Sequence, residues 1–110
     1  MNWFLERIRG FGDKKAISYK GRDFSYGELF DEIENFKKIL ASQEVQPGEV
    51  VAILSDYNFR SIALFVSLME NKNIIVPITT KVKQEIDERV REAFADKIIS
   101  LDDENFEVAT

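Results

Sequence analysis

Apolar residues recur along this chain with two different periods, and the changes of period sketch the order of its elements. Phe4, Ile8 and Phe11 stand at helical spacing, with Gly10 and Gly12 at the end of the run. That spacing predicts a short amphipathic helix which the glycines stop. Residues 16–19 (Ala-Ile-Ser-Tyr) then alternate, with Ile17 and Tyr19 on one face and Ser18 on the other. Lys20-Gly21 follows, then Arg22-Asp23-Phe24. Gly21 can take the positive φ of a tight reversal, so the segment predicts a β-hairpin.

Ser25 and Glu28 have the spacing of a capping box, in which each side chain bonds the other residue's backbone N–H. The helix that follows places Tyr26, Leu29, Phe30, Ile33, Phe36 and Leu40 on one stripe for burial. Lys37 and Lys38 are expected near its C-terminus, where positive charge suits the helix dipole. Residues 46–49 (Gln-Pro-Gly-Glu) read as a turn.

Three similar units come next. Residues 50–54 (Val-Val-Ala-Ile-Leu) form an all-apolar run of strand length, the pattern of a strand covered on both faces of a parallel sheet. Residues 59–69 are helical in spacing and apolar round most of the circumference. Residues 74–78 make the second strand, with Pro77 expected near its end because proline cannot donate to a ladder. Thr79 and Thr80 are positioned to cap a third helix that buries Val82, Ile86, Val90, Ala93 and Phe94. Its other face offers Glu85–Arg89 and Asp87–Arg91 as i,i+4 pairs. Residues 98–101 are the third strand, and 102–110 read as an acidic tail with little to pack. The expected fold is therefore α/β: an N-terminal helix and hairpin, then β-α-β-α-β with a parallel sheet and right-handed crossovers, in one domain over residues 1–110.

Composition narrows the function. The 110 residues are 45% hydrophobic and 32% charged, a globular rather than disordered balance. The net charge of −5 gives no electrostatic footprint for nucleic acid or anionic lipid. The chain has neither cysteine nor histidine, which removes disulfides, thiolate chemistry, the commonest general base and zinc-type ligand sets. Charges at Glu6, Arg7 and Arg9 interrupt the apolar start, so no signal peptide is predicted. The apolar run around 62–69 is too short to span a bilayer. The expected compartment is the cytoplasm.

Each candidate site has a plainer structural reading. Gly10-Phe11-Gly12 lacks the strand-then-helix context of a dinucleotide loop and reads as a helix stop. All five glycines lie at or before position 48, so the strand–helix junctions at Ser55, Thr79 and Asp102 have none with which to wrap a phosphate. The carboxyl edge of the sheet, where α/β proteins usually bind ligands, would present Ser55, Asp56, Tyr57, Asn58, Thr79, Thr80, Asp102 and Asp103. Helix caps and a solvated tail explain the same residues. Asp102, Asp103 and Glu104 could hold Mg²⁺ but have no basic or glycine partner nearby, and read as a solvated end. Ser25 and Glu28 read as a cap rather than as nucleophile and base. Tyr57, beside an apolar helix, reads as core.

The ordered segments nonetheless resemble one family. The carriers are "AISYKGRDFSYGEL", a hairpin leading into a capped helix; "VQPGEVVAIL", a Pro-Gly turn leading into a buried strand; "YNFRSIALFVSLMENKNIIVPI"; and a charged helix ending in "DKIISL". Their order and spacing resemble the start of the adenylate-forming, AMP-binding enzymes: acyl-CoA synthetases, adenylation domains and luciferases. The resemblance implies the first part of the large N-terminal domain of an AMP-forming acyl-CoA or acyl/aryl-acid ligase. Such a parent activates a carboxylate with ATP as an acyl adenylate. ATP, Mg²⁺ and coenzyme A, or a carrier phosphopantetheine, are implied for that parent, and the rest of the ligase is the implied partner. The family's Ser/Thr/Gly-rich phosphate loop followed by Lys, its Tyr-Gly-x-Thr-Glu segment, its ribose-binding aspartate and its C-terminal catalytic lysine have no match here. No catalytic or metal residue is carried over, no cofactor-binding residue is assigned, and the chain alone is expected to be inactive. Two rival readings remain: a binding module that dimerises through the apolar helix at 59–69, and a flavodoxin-like cofactor binder.

Overall fold

The computed structural model describes residues 2–56, 58–79, 81–102 and 105–110, with the backbone alone for residues 2–4 and 8. Its elements are α1 (Asn2–Phe11), β1 (Lys15–Tyr19), β2 (Arg22–Ser25), α2 (Tyr26–Ser42), β3 (Val50–Leu54), α3 (Phe59–Glu70), β4 (Ile74–Ile78), α4 (Lys83–Glu92), β5 (Lys97–Leu101) and β6 (Phe106–Ala109). The hairpin β1–β2 is antiparallel, and its turn places both Lys20 (φ 50°) and Gly21 (φ 78°) in the left-handed region. That geometry matches the right-handed twist of the flanking strands.

The second sheet has the order β4-β3-β5-β6, parallel except for β6, which runs antiparallel to β5. Its register puts Val51, Ile53, Ile75, Ile99 and Leu101 on one face, packed with α2 and α3. Phe36 of α2 and Leu64 and Leu68 of α3 are fully buried there, and Ser67 Oγ lies 3.1 Å from Ile33 O across the helix pair. Ala52 and Ile78 are buried on the opposite face, where Ile86 of α4 lines a cavity with Leu54 and Ile78. Pro77 pairs with Ile53 from an edge strand, where its missing donor leaves one ladder and not two incomplete.

The capping box at Ser25 forms, with Glu28 N donating to Ser25 Oγ at 3.1 Å and Ser25 N to Glu28 Oε1 at 3.1 Å. Gly27 N donates to Gly12 O at 2.8 Å, which docks the end of α1 on the first turn of α2. At the amino edge of the sheet, Lys97 Nζ lies 2.9 Å from Glu49 Oε2 while Gln46 N donates to Glu49 Oε1 at 2.7 Å. Asn73 Nδ2 donates to Gln46 O and Glu49 O, and Asp96 Oδ2 accepts from Val50 N.

Several expectations need correction. Gly10 does not stop α1; the helix runs through it to Phe11, and Gly12 (φ 48°) ends it. Lys37 and Lys38 lie short of the last turn of α2, which continues to Ser42 because residues 39–42 are good helix formers or harmless at a helix end. Thr79 does not cap α4: the N-cap is Val82, without a side-chain bond. Thr80 lies outside the described residues. Helix α4 buries none of its residues, and Val82 (56%) and Phe94 (84%) are exposed because α4 crosses a face where little of the chain lies over it. On its surface Asp87 pairs with Lys83 at 3.7 Å. The 102–110 segment is not an unpacked tail. It carries β6, whose Phe106 and Val108 pack against the core while Glu107 faces outward. The apolar helix at 59–69 is a core element, with Ala63, Leu64, Val66 and Leu68 buried, so it does not offer the expected dimerising face.

Candidate functional site

The chain runs from β3 to β4 on one side, then back past β3 to β5 on the other, so strand order reverses between β3 and β5. In open α/β sheets the crevice beyond the carboxyl ends of such a strand pair is the usual ligand site. A cavity of about 310 Å³ lies there. The sequence-predicted rim residues Ser55, Asp56, Thr79 and Asp102 all line it, joined by Lys81. A neighbouring cavity of about 590 Å³ extends along Leu101 and Asp102 to Phe106 and Glu107. Tyr57, Asp103 and Glu104 lie outside the described residues.

Among the described residues, the polar side chains of Asn58, Asp56, Ser55 and Asp102 are already engaged. Asn58 is buried as the N-cap of α3, with its Oδ1 accepting from Ser61 N at 2.8 Å and its N donating to Ser61 Oγ at 2.8 Å. Asp56 pairs with Lys81 at 3.3 Å, and Ser55 Oγ donates to Asp56 O at 2.8 Å. Asp102 Oδ1 accepts from Asn105 N at 2.7 Å and Oδ2 from Asn105 Nδ2 at 3.1 Å, which closes the β5–β6 turn. Arg60, which no motif singles out, reaches from the first turn of α3 to Asp102 O at 2.9 Å and Asn105 O at 3.5 Å. Its guanidinium lies over the Phe36 ring, 5.7 Å from the centroid. A basic residue opening an apolar helix, 42 positions before its partner, leaves no local signal.

A third and larger concavity, about 640 Å³, opens between the hairpin, α2 and the start of α3. Phe24 and Phe59 stack in it at 4.0 Å between centroids and 6° between planes, and both are buried. Glu28, Asp31, Glu32 and Asn35 form one wall at helical spacing, and Arg22, paired with Glu28 at 3.2 Å, closes one end.

Ser25 and Glu28 serve as the cap of α2, with Glu28 also held by Arg22. Among the described residues no group of three or more acidic side chains converges as a metal site. The described residues of the carboxyl edge do not form a magnesium–nucleotide site: both Asp102 oxygens accept from Asn105, Lys81 is paired with Asp56, and no glycine lies at any of the junctions.

A parallel sheet with a reversed strand order, flanked by helices and preceded by a hairpin and a capped helix, defines an α/β subdomain of the kind that opens adenylate-forming enzymes. The chain belongs to the AMP-binding enzyme family, whose model matches residues 4–108. Among curated proteins it is 29% identical over 75 residues to cyclo-acetoacetyl-L-tryptophan synthase of Aspergillus oryzae, covering 68% of this chain and 2% of that protein. It is 25% identical over 81 residues to the nonribosomal peptide synthetase agiA of Aspergillus flavus, covering 74% of this chain and 1% of that protein. In fold it is similar to the N-terminal subdomain of Klebsiella oxytoca NpsA in complex with 3-hydroxyanthranilyl-AMSN. That match has a TM-score of 0.80 and 24% identity, over 90% of this chain and 26% of that one. It is also similar to a mutant form of coronafacic acid ligase from Pectobacterium brasiliense, with a TM-score of 0.82 and 17% identity, over 90% of this chain and 20% of that one. The chain thus spans about a quarter or less of the solved chains it matches and a few hundredths of the curated ones.

Proposed function

We propose that this chain is the N-terminal portion of an AMP-forming acid–thiol ligase, and that it builds scaffold rather than chemistry. The family match over residues 4–108 carries this reading. In the parent, ATP converts a carboxylate oxygen, a poor leaving group, into AMP, a good one, with release of pyrophosphate. The acyl group then passes to a thiol, that of coenzyme A or of a carrier phosphopantetheine. The acid is an acyl or aryl carboxylic acid. The parent works in the cytoplasm.

Within the parent this segment fixes the order and register of three parallel strands and holds their ends through capped helices and the amino-edge network. The satisfied rim at Ser55, Asp56 and Asp102 supports a structural role for its polar groups. ATP–pyrophosphate exchange tests the reading: the 110-residue chain should stay at background with any acid supplied, and the chain extended through the family's phosphate loop and C-terminal lysine should exchange. Exchange above background by the 110-residue chain would falsify the assignment of chemistry to other segments.

The exposure of Phe94 (84%), Ile74 (58%) and Val82 (56%) favours one second reading, a module that associates through its α4 side. Light scattering separates the two. A monomer that binds no hydrophobic dye counts against association through that surface.

A further inference from the structure

Helix α4 covers its face of the sheet far more thinly than α2 and α3 cover theirs. We infer that α4 melts off the sheet as one unit in the native protein, and that this opening uncovers the apolar crevice at the carboxyl ends of the strands.

Neither end of α4 holds it closed. Its N-cap, Val82, makes no side-chain bond, whereas α2 and α3 begin with capping boxes at Ser25 and Asn58. At the other end the left-handed position is taken by Phe94 (φ 54°), whose ring is exposed. A helix of ten residues does not persist alone in water. It therefore exists only while docked, and undocking melts it.

The docking itself is slight. Ile86 and Val90 are half-buried and the rest of the helix is exposed, while α3 buries Ala63, Leu64, Val66 and Leu68. Ile86 lines a cavity of about 310 Å³ with Leu54, Ile78 and Leu101 and does not fill it. Unfilled space forfeits dispersion contacts on its walls. The ion pair that ties this segment to the end of β3, Lys81 with Asp56 at 3.3 Å, is exposed on both sides and screened by water. Lys83 and Asp87 pair within the helix and add nothing to its docking.

The strands on either side stay fixed. Ile78 remains paired with Leu54 in the ladder. Asp96 is clamped to β3, with its N donating to Val50 O at 2.7 Å and its Oδ2 accepting from Val50 N at 2.8 Å. Opening is therefore confined to the segment between them, and it turns the buried Ile78 towards water.

Native-state amide exchange on the 110-residue chain tests this. The α4 amides should exchange together, about a hundredfold or more faster than those of α2 after correction for intrinsic rates, with one shared denaturant dependence. The chain has no cysteine, so a single introduced thiol reports on one site. Ile78→Cys should react with a thiol reagent at the protection level of the α4 amides. Leu64→Cys, buried under α3 on the other face, should react about a hundredfold more slowly, through global unfolding. The exchange measurement uses the unaltered chain and decides even where a cysteine variant does not fold. Protection of α4 equal to that of α2 overturns the proposal. So does exchange graded inward from the helix ends without denaturant dependence, which is fraying. Labelling of Ile78→Cys no faster than Leu64→Cys overturns it as well.

Discussion

Lys97 Nζ lies 2.9 Å from Glu49 Oε2, and the two residues, 48 positions apart in sequence, join the turn before β3 to the start of β5. Both side chains are mostly buried, at 14% and 20% exposure. Glu49 also receives Gln46 N on its other oxygen and pairs its carbonyl with Ile74 N and Asn73 Nδ2. One glutamate therefore ties the Pro-Gly turn, β4 and β5 together where the parallel sheet begins.

The hydrogen bond from Lys97, with a smaller contribution from Gln46 N–H, holds the Glu49 carboxyl below the usual glutamate range, against the opposing effect of burial. A depressed folded-state pKa gives stability that is present above the unfolded-state pKa and lost as pH falls through the folded value. Glu49→Gln should lower the Tm at neutral pH. The gap to the parent chain should close as pH drops below the glutamate range. A gap that stays constant into acid would contradict this role.

Three helices end in the same way without a glycine. Glu44 (φ 58°), Lys72 (φ 61°) and Phe94 (φ 54°) each take the left-handed position after a helix. Each is followed by a paired closure: Val45 N to Leu40 O, Asn73 N to Leu68 O and Ala95 N to Val90 O. A left-handed L-residue costs roughly 1–2 kcal/mol that glycine avoids, less the glycine entropy of the unfolded chain. Phe94→Gly, Glu44→Gly and Lys72→Gly should each stabilise the chain by about 0.5–1 kcal/mol in denaturant melts. Destabilisation by Phe94→Gly would mean that the exposed ring makes a contact worth more than its backbone strain.

Arg60 is the link between α3 and the β5–β6 turn. Arg60→Ala should raise amide exchange across Phe106–Ala109 while leaving β3 and β4 protected, with a stability loss of about 1–3 kcal/mol. Unchanged protection of β6 would show that Phe106 and Val108 hold that strand without the guanidinium.

Ser25→Ala removes half of the capping box and should cost about 1 kcal/mol. Phe36→Ala empties the site under Phe106 and Arg60 and should cost about 3–5 kcal/mol in the same melts. A smaller loss at Phe36 than at Ser25 would contradict the placement of the core.

Strong local signals made much of this fold readable. The all-apolar run at 50–54, the Pro-Gly turn before it and the Ser25–Glu28 spacing each have one physical solution, and the structure adopts it. What escaped was non-local. Phe106 and Val108 alternate over only four residues in an acidic setting, and they become a strand because β5 offers an edge. The apolar stripe of α4 suggested burial, but burial needs a partner surface, and none of its residues is buried here. The helix stops at Glu44, Lys72 and Phe94 carry no glycine to announce them. Among the rim residues, Ser55, Asp56, Thr79 and Asp102 could be placed from strand ends alone. The hairpin groove could not, because it joins Phe24 to Phe59 across 35 positions.

The most direct measurement is to read the source gene in frame past the codon for Thr110. Continuation into a Ser/Thr/Gly-rich segment followed by lysine, then a Tyr-Gly-x-Thr-Glu segment, is the predicted result and makes the parent an adenylating ligase. A stop codon directly after Thr110 would contradict the ligase assignment, reduce the family likeness to ancestry and leave the binding module as the function.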